Sequence, residues 1–370
     1  MDLNKKIDEF VSKYTNNAKQ RSDEWYQLVQ RTIGGSEIST VLGENKYKTK
    51  YDLAKEKVGL LPKFTGNAAT RWGTIFEDIV ARFIELDCGT EVKGGELTIN
   101  EIDGIRYSPD GYVVIKVHKN PETKEITLVT RDLPCYTDDN FDDFDNAQDC
   151  PYCEYAIALL EIKCPRTRKP IEGEIPEHYK PQLLSGLAHS PITDIALFTE
   201  SVIKRSPLEK LKDKEGLAYG LVGIYAESQP KSLLDKGFIK TSVGGLLDLG
   251  KCLLKDLDEC LDKTCNGVYK YDFTDLVLED ETLNIDILLN DLVSNCPEGR
   301  KLIAVLPYTI NEIYYSFQER DTNYMDKILG PVKEFINMVD RLRSDPTYIN
   351  VIIEEEKNLL EDDYSNLFSR

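Results

Sequence analysis

The chain has 370 residues, 41% hydrophobic and 30% charged, with 46 Lys and Arg against 65 Asp and Glu for a formal net charge of −19. This is too apolar for wholesale disorder and leaves room for one large domain or two modest ones. A field this acidic excludes nucleic-acid binding by bulk charge, so contact with DNA would need a local basic surface or bound metal ions.

No apolar run approaches the ~20 residues of a membrane helix. The opening stretch Met1 to Phe10 lacks the apolar core of a secretory signal, so an intracellular protein with no membrane segment is expected. Nine cysteines at irregular spacing, an odd number, read as reduced thiols and not as a disulfide frame.

In chain order, residues 3–30 read as helical from the spacing of Leu3, Ile7, Phe10, Val11 and Tyr14, then Trp25, Leu28 and Val29. Gly34-Gly35 breaks that pattern, and Ser36 is placed to cap a short helix over 37–42. Residues 74–86 carry an apolar stripe of Ile75, Phe76, Ile79, Val80, Phe83 and Ile84, which predicts a buried-face helix. Strands and turns follow over 96–117, with Asp103-Gly104 as a hairpin signal and Pro109-Asp110-Gly111 as a second break.

Residues 118–154 depart in composition. From 131 to 154 there are eight acids against Arg131 alone, a net −7, and the stretch reads as an inserted excursion with one short strand at 125–129. Tyr155 to Lys163 returns as a buried strand. A helix at 176–188, strands at 192–199 and 221–226, a charged exposed stretch at 206–217 and a Leu-rich helix at 243–262 are expected next. Strands at 302–308 and 312–318, a long helix near 321–343 and a fraying acidic tail at 352–370 complete the reading, with no internal repeat.

Three pieces in order carry chemistry: Glu77 in Arg71-Trp-Gly-Thr-Ile-Phe-Glu77, Ser108-Pro-Asp110-Gly, and Glu161-Ile-Lys163. Carboxylates at a strand end, followed by Glu-x-Lys on a neighbouring strand, suit phosphodiester hydrolysis with Mg²⁺, a hard ion that takes oxygen ligands and acidifies bound water. Lys163 beside such an ion can hold or activate the attacking water. Strand alternation puts Glu161 and Lys163 on the face of Leu159, with Ala158, Leu160 and Ile162 on the other. The strand runs from apolar residues into these charges, so they belong at its C-terminal end, at the mouth of a cleft. Each piece taken singly is a common feature of ordinary proteins: a cross-strand ion pair, a turn, an acid on a helix flank.

Together with their surroundings these pieces resemble the lambda-type alkaline exonuclease and YqaJ viral recombinase family of the PD-(D/E)xK nuclease superfamily, in the version found in large double-stranded DNA viruses. The resemblance rests on Gln20-Arg-Ser-Asp-Glu-Trp25, Arg31-Thr-Ile-Gly-Gly-Ser36, Leu42-Gly-Glu-Asn-Lys-Tyr-Lys48, Trp72-Gly73 with Glu77, Asn100 to Gly111, Leu160 to Pro165 and His178-Tyr179-Lys-Pro-Gln182. It implies an α/β fold with a restriction-endonuclease-like core, a mixed central sheet flanked by helices. As a single nuclease domain over 1–370, its core would span about 20–200 plus 300–345, with the acidic insertion at 118–154 and a variable region at about 200–300.

The resemblance further implies a Mg²⁺- or Mn²⁺-dependent 5′→3′ exonuclease on double-stranded DNA with 5′-phosphorylated ends, serving viral recombination, repair or replication. Asp110 and Glu161, with the Ile162 carbonyl, would hold the metal, supported by Glu77; Lys163 would be the catalytic lysine, and Gln182 would orient the nucleophile or the scissile phosphate. Ser36, with Arg31, would hold the 5′-phosphate. In lambda-type relatives the arginine stands about seven residues before the serine; here that position is Val29, and Arg31 stands five before. Tyr179, Lys46, Lys48, Arg166 and Arg168 are candidate DNA contacts near the site. A single-strand annealing protein is a candidate partner, a homo-oligomer such as a trimer is open, and the cytoplasm or nucleus of an infected cell is the implied location.

The insertion holds His118, Cys135 and Cys150-Pro-Tyr-Cys153. One Cys-x-x-Cys with a further Cys and a His is compatible with structural Zn²⁺, and equally with reduced, partly buried thiols. Competing functions are a structure-specific endonuclease or resolvase on the same core, which needs no terminal-phosphate pocket at Ser36, and a nuclease-fold DNA-binding scaffold, against which Asp110, Glu161 and Lys163 stand intact.

Overall fold

The computed structural model describes residues 2–16, 23–62, 66–95, 98–131, 150–213, 215–227 and 246–368. Helix α1 (Leu3–Tyr14) starts at Asp2, whose carboxylate accepts the Asn4 N–H at 3.0 Å. Strand β1 (Thr15–Asn16), helix α2 (Asp23–Arg31) and strand β2 (Ile33–Gly34) follow, so the predicted helix over 3–30 is two helices, and Gln20 to Ser22 lie outside the described residues.

The helix expected after Ser36 is different in kind. Gly35–Glu37 is a 3-10 turn, and α3 (Ile38–Val41) has only four residues with Glu37 at its cap position. The reason is Glu37. Its carboxylate turns back to accept the Gly34 N–H at 2.7 Å and pairs with Lys57 at 2.8 Å, which tightens the turn.

Helix α4 (Lys50–Lys57) is capped by Thr49, and α5 (Ala68–Cys88) by Asn67. The α5 helix ends on Gly89 at φ 60, a left-handed cap that glycine adopts without strain. Then come β3 (Thr98–Ile102), β4 (Ile105–Tyr107), β5 (Gly111–Lys119), β6 (Ile126–Leu128), β7 (Cys153–Lys163), α6 (Lys180–His189) and β8 (Ile195–Arg205). Beyond 205 lie β9 (Ala218–Ala226), β10 (Leu247–Asp248), α7 (Leu254–Cys265), β11 (Lys270–Phe273), β12 (Val277–Leu278), α8 (Ile285–Ser294), β13 (Lys301–Glu319), α9 (Tyr324–Ser344) and α10 (Ile349–Phe368).

The main sheet orders its strands β11-β9-β13-β8-β7-β5-β6, with β10 added to β13 and β12 to β9. It is mixed: β7 and β8 are parallel, joined through α6, while β5–β7, β8–β13 and β9–β13 are antiparallel. Among the described residues, region 200–300 contributes β9, β11 and β12 to this same sheet. A smaller sheet, β1-β3-β4-β2, flanks it.

One face of the main sheet buries Val113, Ile115, Ala158, Leu160, Ile162 and Leu197 against the α5 stripe. The opposite face buries Ile157, Leu159, Ala196 and Phe198 against α1 and α6. The alternation read for residues 158–162 therefore holds, and the mixed sheet flanked by helices is the expected architecture. A separate cluster joins α3, α4 and α9 with Ile352 of α10.

Several expectations need correction. Residues 206–217 are not a wholly exposed stretch: Leu208 and Leu211 of a 3-10 segment are buried under β13 and α8. The helix placed at 243–262 starts only at Leu254, because the Asp248 carboxylate accepts the N–H groups of Leu208 and Gly250, each at 2.9 Å, and pins β10 to the sheet. The two strands at 302–308 and 312–318 are one, with a register shift between Ile310 and Glu312. The tail is helical through Phe368, and Glu356 of α10 is tied to Lys55 of α4 at 2.7 Å. No described helix is long and apolar enough to cross a membrane.

Candidate active site

The site forms where β7 ends. Glu161 is 1% exposed and lies opposite Phe198 of the parallel strand β8. Three donors converge on its carboxylate. The Tyr107 hydroxyl donates to Oε2 at 2.8 Å, while the Lys163 ammonium and the Gln182 side-chain amide both donate to Oε1. Gln182 reaches in from the first turn of α6, which Pro181 can enter because the first-turn amides need no helical partner.

Asp110 stands in the turn before β5. It accepts the Ile162 N–H at 2.6 Å, and the Glu77 carboxyl of α5 hydrogen-bonds to it. Glu77, Asp110, Glu161, Ile162, Lys163 and Gln182 are thus gathered from two helices, a turn and a strand.

Burial and mutual repulsion set the electrostatics of these carboxyls. Burial, then the Glu77 carboxylate, push Asp110 well above the ordinary carboxylate range, with Lys163 and the Ile162 N–H pulling back. Burial pushes Glu161 up to about 7, against the pull of Lys163 and with the push of Asp110. Burial opposes the charge on Lys163, but Glu161 and Asp110 outweigh it and hold the ammonium above its usual range. Three crowded carboxyls offer oxygen donors only, the set a hard divalent ion takes, and such an ion would offset their mutual repulsion.

Tyr107 is the residue that sequence reasoning missed. Its ring is 1% exposed, and it is closely approached by two glycines. A Cβ on Gly35 would lie 2.5 Å from the ring, and one on Gly186 of α6 would lie 2.4 Å from Cζ. The turn bearing Ser36 is therefore seated on the tyrosine that holds Glu161. Beneath that turn, Glu37 takes Lys57 at 2.8 Å and Arg106 at 3.7 Å. Burial alone would raise Glu37, but Lys57 and Arg106 bring its carboxyl below the usual value. Arg106, a lone charge in the apolar strand β4, was the available signal. Ser36 itself is exposed, and Arg31 is exposed at the end of α2.

The candidate DNA contacts divide. The Lys163 ammonium lies 5.5 Å from the Tyr179 ring centre, and His178 packs on Tyr179 at 4.1 Å between ring centres. Tyr47, largely exposed, approaches His178 edge-on at 6.5 Å. Burial holds the His178 imidazole below its ordinary value, and the nearby Arg168 and Lys46 charges add to that. Lys46, Arg168, Lys163 and Tyr179 thus lie around His178, although Arg168 also pairs with the buried Glu200 of β8. Lys48 instead turns to Glu56 at 2.5 Å, and Arg166 turns to Asp258 of α7 at 2.6 Å. Lys55 and Lys57 are likewise engaged in ion pairs, so the lysine run 46–57 is not one open basic face.

Of the cysteine and histidine set, His118, Cys150 and Cys153 come together at the far end of β7, and Cys135 lies outside the described residues. The acidic segment 132–149 is outside them as well.

Residues 24–193 match the YqaJ-like viral recombinase domain family. Protein D345L of African swine fever virus (isolate Tick/South Africa/Pretoriuskop Pr4/1996) is 31% identical over 209 residues, which are 55% of this chain and 56% of that protein. The chain thus matches little more than half the length of this relative. The uncharacterized protein YqaJ of Bacillus subtilis (strain 168) is 37% identical over 78 residues, 21% of this chain and 24% of its own. Among solved structures, an alkaline exonuclease (LHK-Exo) from Laribacter hongkongensis is similar at TM-score 0.36 and 14% identity, covering 91% of this chain and 100% of its own. A phage-related exonuclease from Haemophilus somnus 129PT is similar at TM-score 0.37 and 14% identity, covering 85% and 96%.

Proposed function

We propose, from the match of residues 24–193 to the YqaJ-like viral recombinase domain family, that this chain is a divalent-metal-dependent deoxyribonuclease that degrades linear duplex DNA from 5′ ends. The observation that carries the reading is the convergence of Glu77, Asp110 and Glu161 with Lys163 at the end of β7. The donor set fits Mg²⁺ or Mn²⁺, with Asp110, Glu161 and the Ile162 carbonyl as ligands and Glu77 in support. A bound ion of this kind supplies an acidified water and offsets charge on the phosphate.

The chain's own residues do the rest. Tyr107 and Gln182 hold the Glu161 carboxylate in one orientation by donating to opposite oxygens. Lys163 stays protonated and partly exposed, so it can donate to the scissile phosphate or to the attacking water. Tyr179 limits where its ammonium can swing. Lys46 and Arg168 beside His178 would give an acidic protein a local positive surface for the phosphate backbone. Ser36, on the turn seated against Tyr107, is the group for a terminal 5′-phosphate. Recombination or repair of viral DNA in an infected cell, a partner that anneals the single strand produced, and a homo-oligomeric assembly belong to this reading.

The test is digestion of end-labelled linear duplex, with and without 5′-phosphate, beside a covalently closed circle, in Mg²⁺, Mn²⁺ or EDTA. Cleavage of the phosphorylated linear form with sparing of the circle is expected. Ser36→Ala should reduce the preference for phosphorylated ends more than total cutting. Equal rates on circles and linear ends would replace this reading with the endonuclease.

A further inference from the structure

A second donor cluster lies about one strand length from the carboxylates, at the opposite end of β7, and its chemistry is of another kind. His118 of β5 stands directly across from Cys153, the first residue of β7. Cys150 is three residues earlier, and the turn Cys150-Pro-Tyr-Cys153 is closed by the Cys153 N–H donating to the Cys150 carbonyl at 3.1 Å. The Lys119 N–H donates to the Tyr152 carbonyl at 3.0 Å, which fastens that turn to the strand bearing His118. Cys150 is buried and Cys153 half-buried.

The distances point to a shared third atom. His118 Nδ1 lies 3.6 Å from the Cys150 sulfur and 3.8 Å from the Cys153 sulfur, and all three donor atoms lie within 4.8 Å of one another. One ring nitrogen has either one proton or one lone pair, so it cannot serve two thiols at once by hydrogen bonding. A tetrahedral zinc with Zn–N of about 2.0 Å and Zn–S of about 2.3 Å has N···S edges of about 3.5 Å and S···S edges of about 3.8 Å. The first two separations sit at those edges without backbone movement. Two thiolates and an imidazole are soft-to-borderline donors, which select zinc over the hard ion suited to the carboxylate site.

We propose that His118, Cys150 and Cys153 supply three of the four ligands of a structural zinc ion, with the fourth position left to water or a further donor. The ion clamps the β5–β7 strand pair at the point where the chain re-enters the main sheet after the acidic segment. The ion is distinct from the catalytic metal and independent of nuclease activity. The Tyr152 ring, edge-on to His118 at 6.1 Å, covers one side of the site.

The experiment uses the full chain expressed in zinc-supplemented medium and freed of loosely bound metal on a desalting column. Elemental analysis should find one zinc per chain, and Cys150→Ser and Cys153→Ser should each lower it at least tenfold. Replacement with Co²⁺ in the unaltered chain should give the thiolate charge-transfer band and the visible bands of a tetrahedral site, which requires no variant to fold. Glu161→Gln should keep its zinc, separating this ion from the carboxylate site. Absence of zinc and of the Co²⁺ bands from the unaltered chain would overturn the proposal, as would a Cys150–Cys153 disulfide in the protein as isolated or serine variants that keep as much zinc as the unaltered chain.

Discussion

The Tyr107 hydroxyl donates to Oε2 of Glu161 across 2.8 Å, joining the last residue of β4 to the carboxylate at the end of β7. A hydrogen bond to a charged acceptor contributes about 1.5–3 kcal/mol, and this one favours the ionised form. Tyr107→Phe keeps the ring that fills the space beside Gly35 and Gly186. The variant should fold, but its Glu161 should hold a proton to higher pH. The expected outcome is a pH–rate profile whose rising limb moves up relative to the unaltered protein. An unmoved limb would show that the hydroxyl does not tune Glu161.

Glu161→Gln and Lys163→Ala should each reduce cleavage by a factor of about a thousand or more, since each ~1.4 kcal/mol of lost transition-state stabilisation is tenfold in rate. Glutamine preserves the volume at a 1% exposed position, so circular dichroism and the thermal midpoint should stay near those of the parent. Substantial Mg²⁺-dependent activity in purified Glu161→Gln protein would remove Glu161 from the metal site.

The raised carboxyl has a consequence for pH. Without metal, the folded protein binds the Glu161 proton more tightly than the unfolded chain, because burial pushes this group up to about 7. That term stabilises the fold fully below the ordinary carboxylate range and is lost as pH rises through about 7. A divalent ion competes with the same proton, so its binding should strengthen over the same window. The measurement is the thermal midpoint with and without Mg²⁺ across pH. The Mg²⁺-dependent increase should be small below pH ~6 and grow toward pH ~8. An increase independent of pH would contradict the linkage.

Gly186→Ala would place a methyl 2.4 Å from Tyr107 and 2.6 Å from Leu159, closer than carbon atoms approach. Both neighbours are buried, so the ring must shift, at a cost of about 1–3 kcal/mol. Because the same ring carries the hydroxyl on Glu161, activity should fall together with stability. Denaturant midpoints and cleavage rates of Gly186→Ala beside Gly330→Ala would check this, as a Cβ on Gly330 meets nothing within 4 Å. Loss of stability alone, at full activity, would separate Tyr107 from the chemistry.

The sequence by itself determined the α5 stripe, the hairpin at Asp103-Gly104 and the two faces of β7, because each follows from a local period or turn preference that burial only reinforces. The shared face of Glu161 and Lys163 was legible for the same reason: strand alternation assigns a side chain to a face before any partner is known. What only the tertiary structure decided depends on residues distant in the chain. Ser36 does not cap the short helix that follows it, because Glu37 is drawn back to Gly34, Lys57 and Arg106 and takes the cap position. Lys48 and Arg166 face Glu56 and Asp258, partners that no spacing announces. Apart from the lone charge of Arg106 beside it, Tyr107 carried no signal, since its role comes from the Glu161 carboxylate 54 positions away and from the close approach of Gly35 and Gly186. Periodicity is a property of one segment, whereas charge pairing and close packing are properties of two. The face that bears Glu161 could be read from the first, and the residues that orient its carboxylate only from the second.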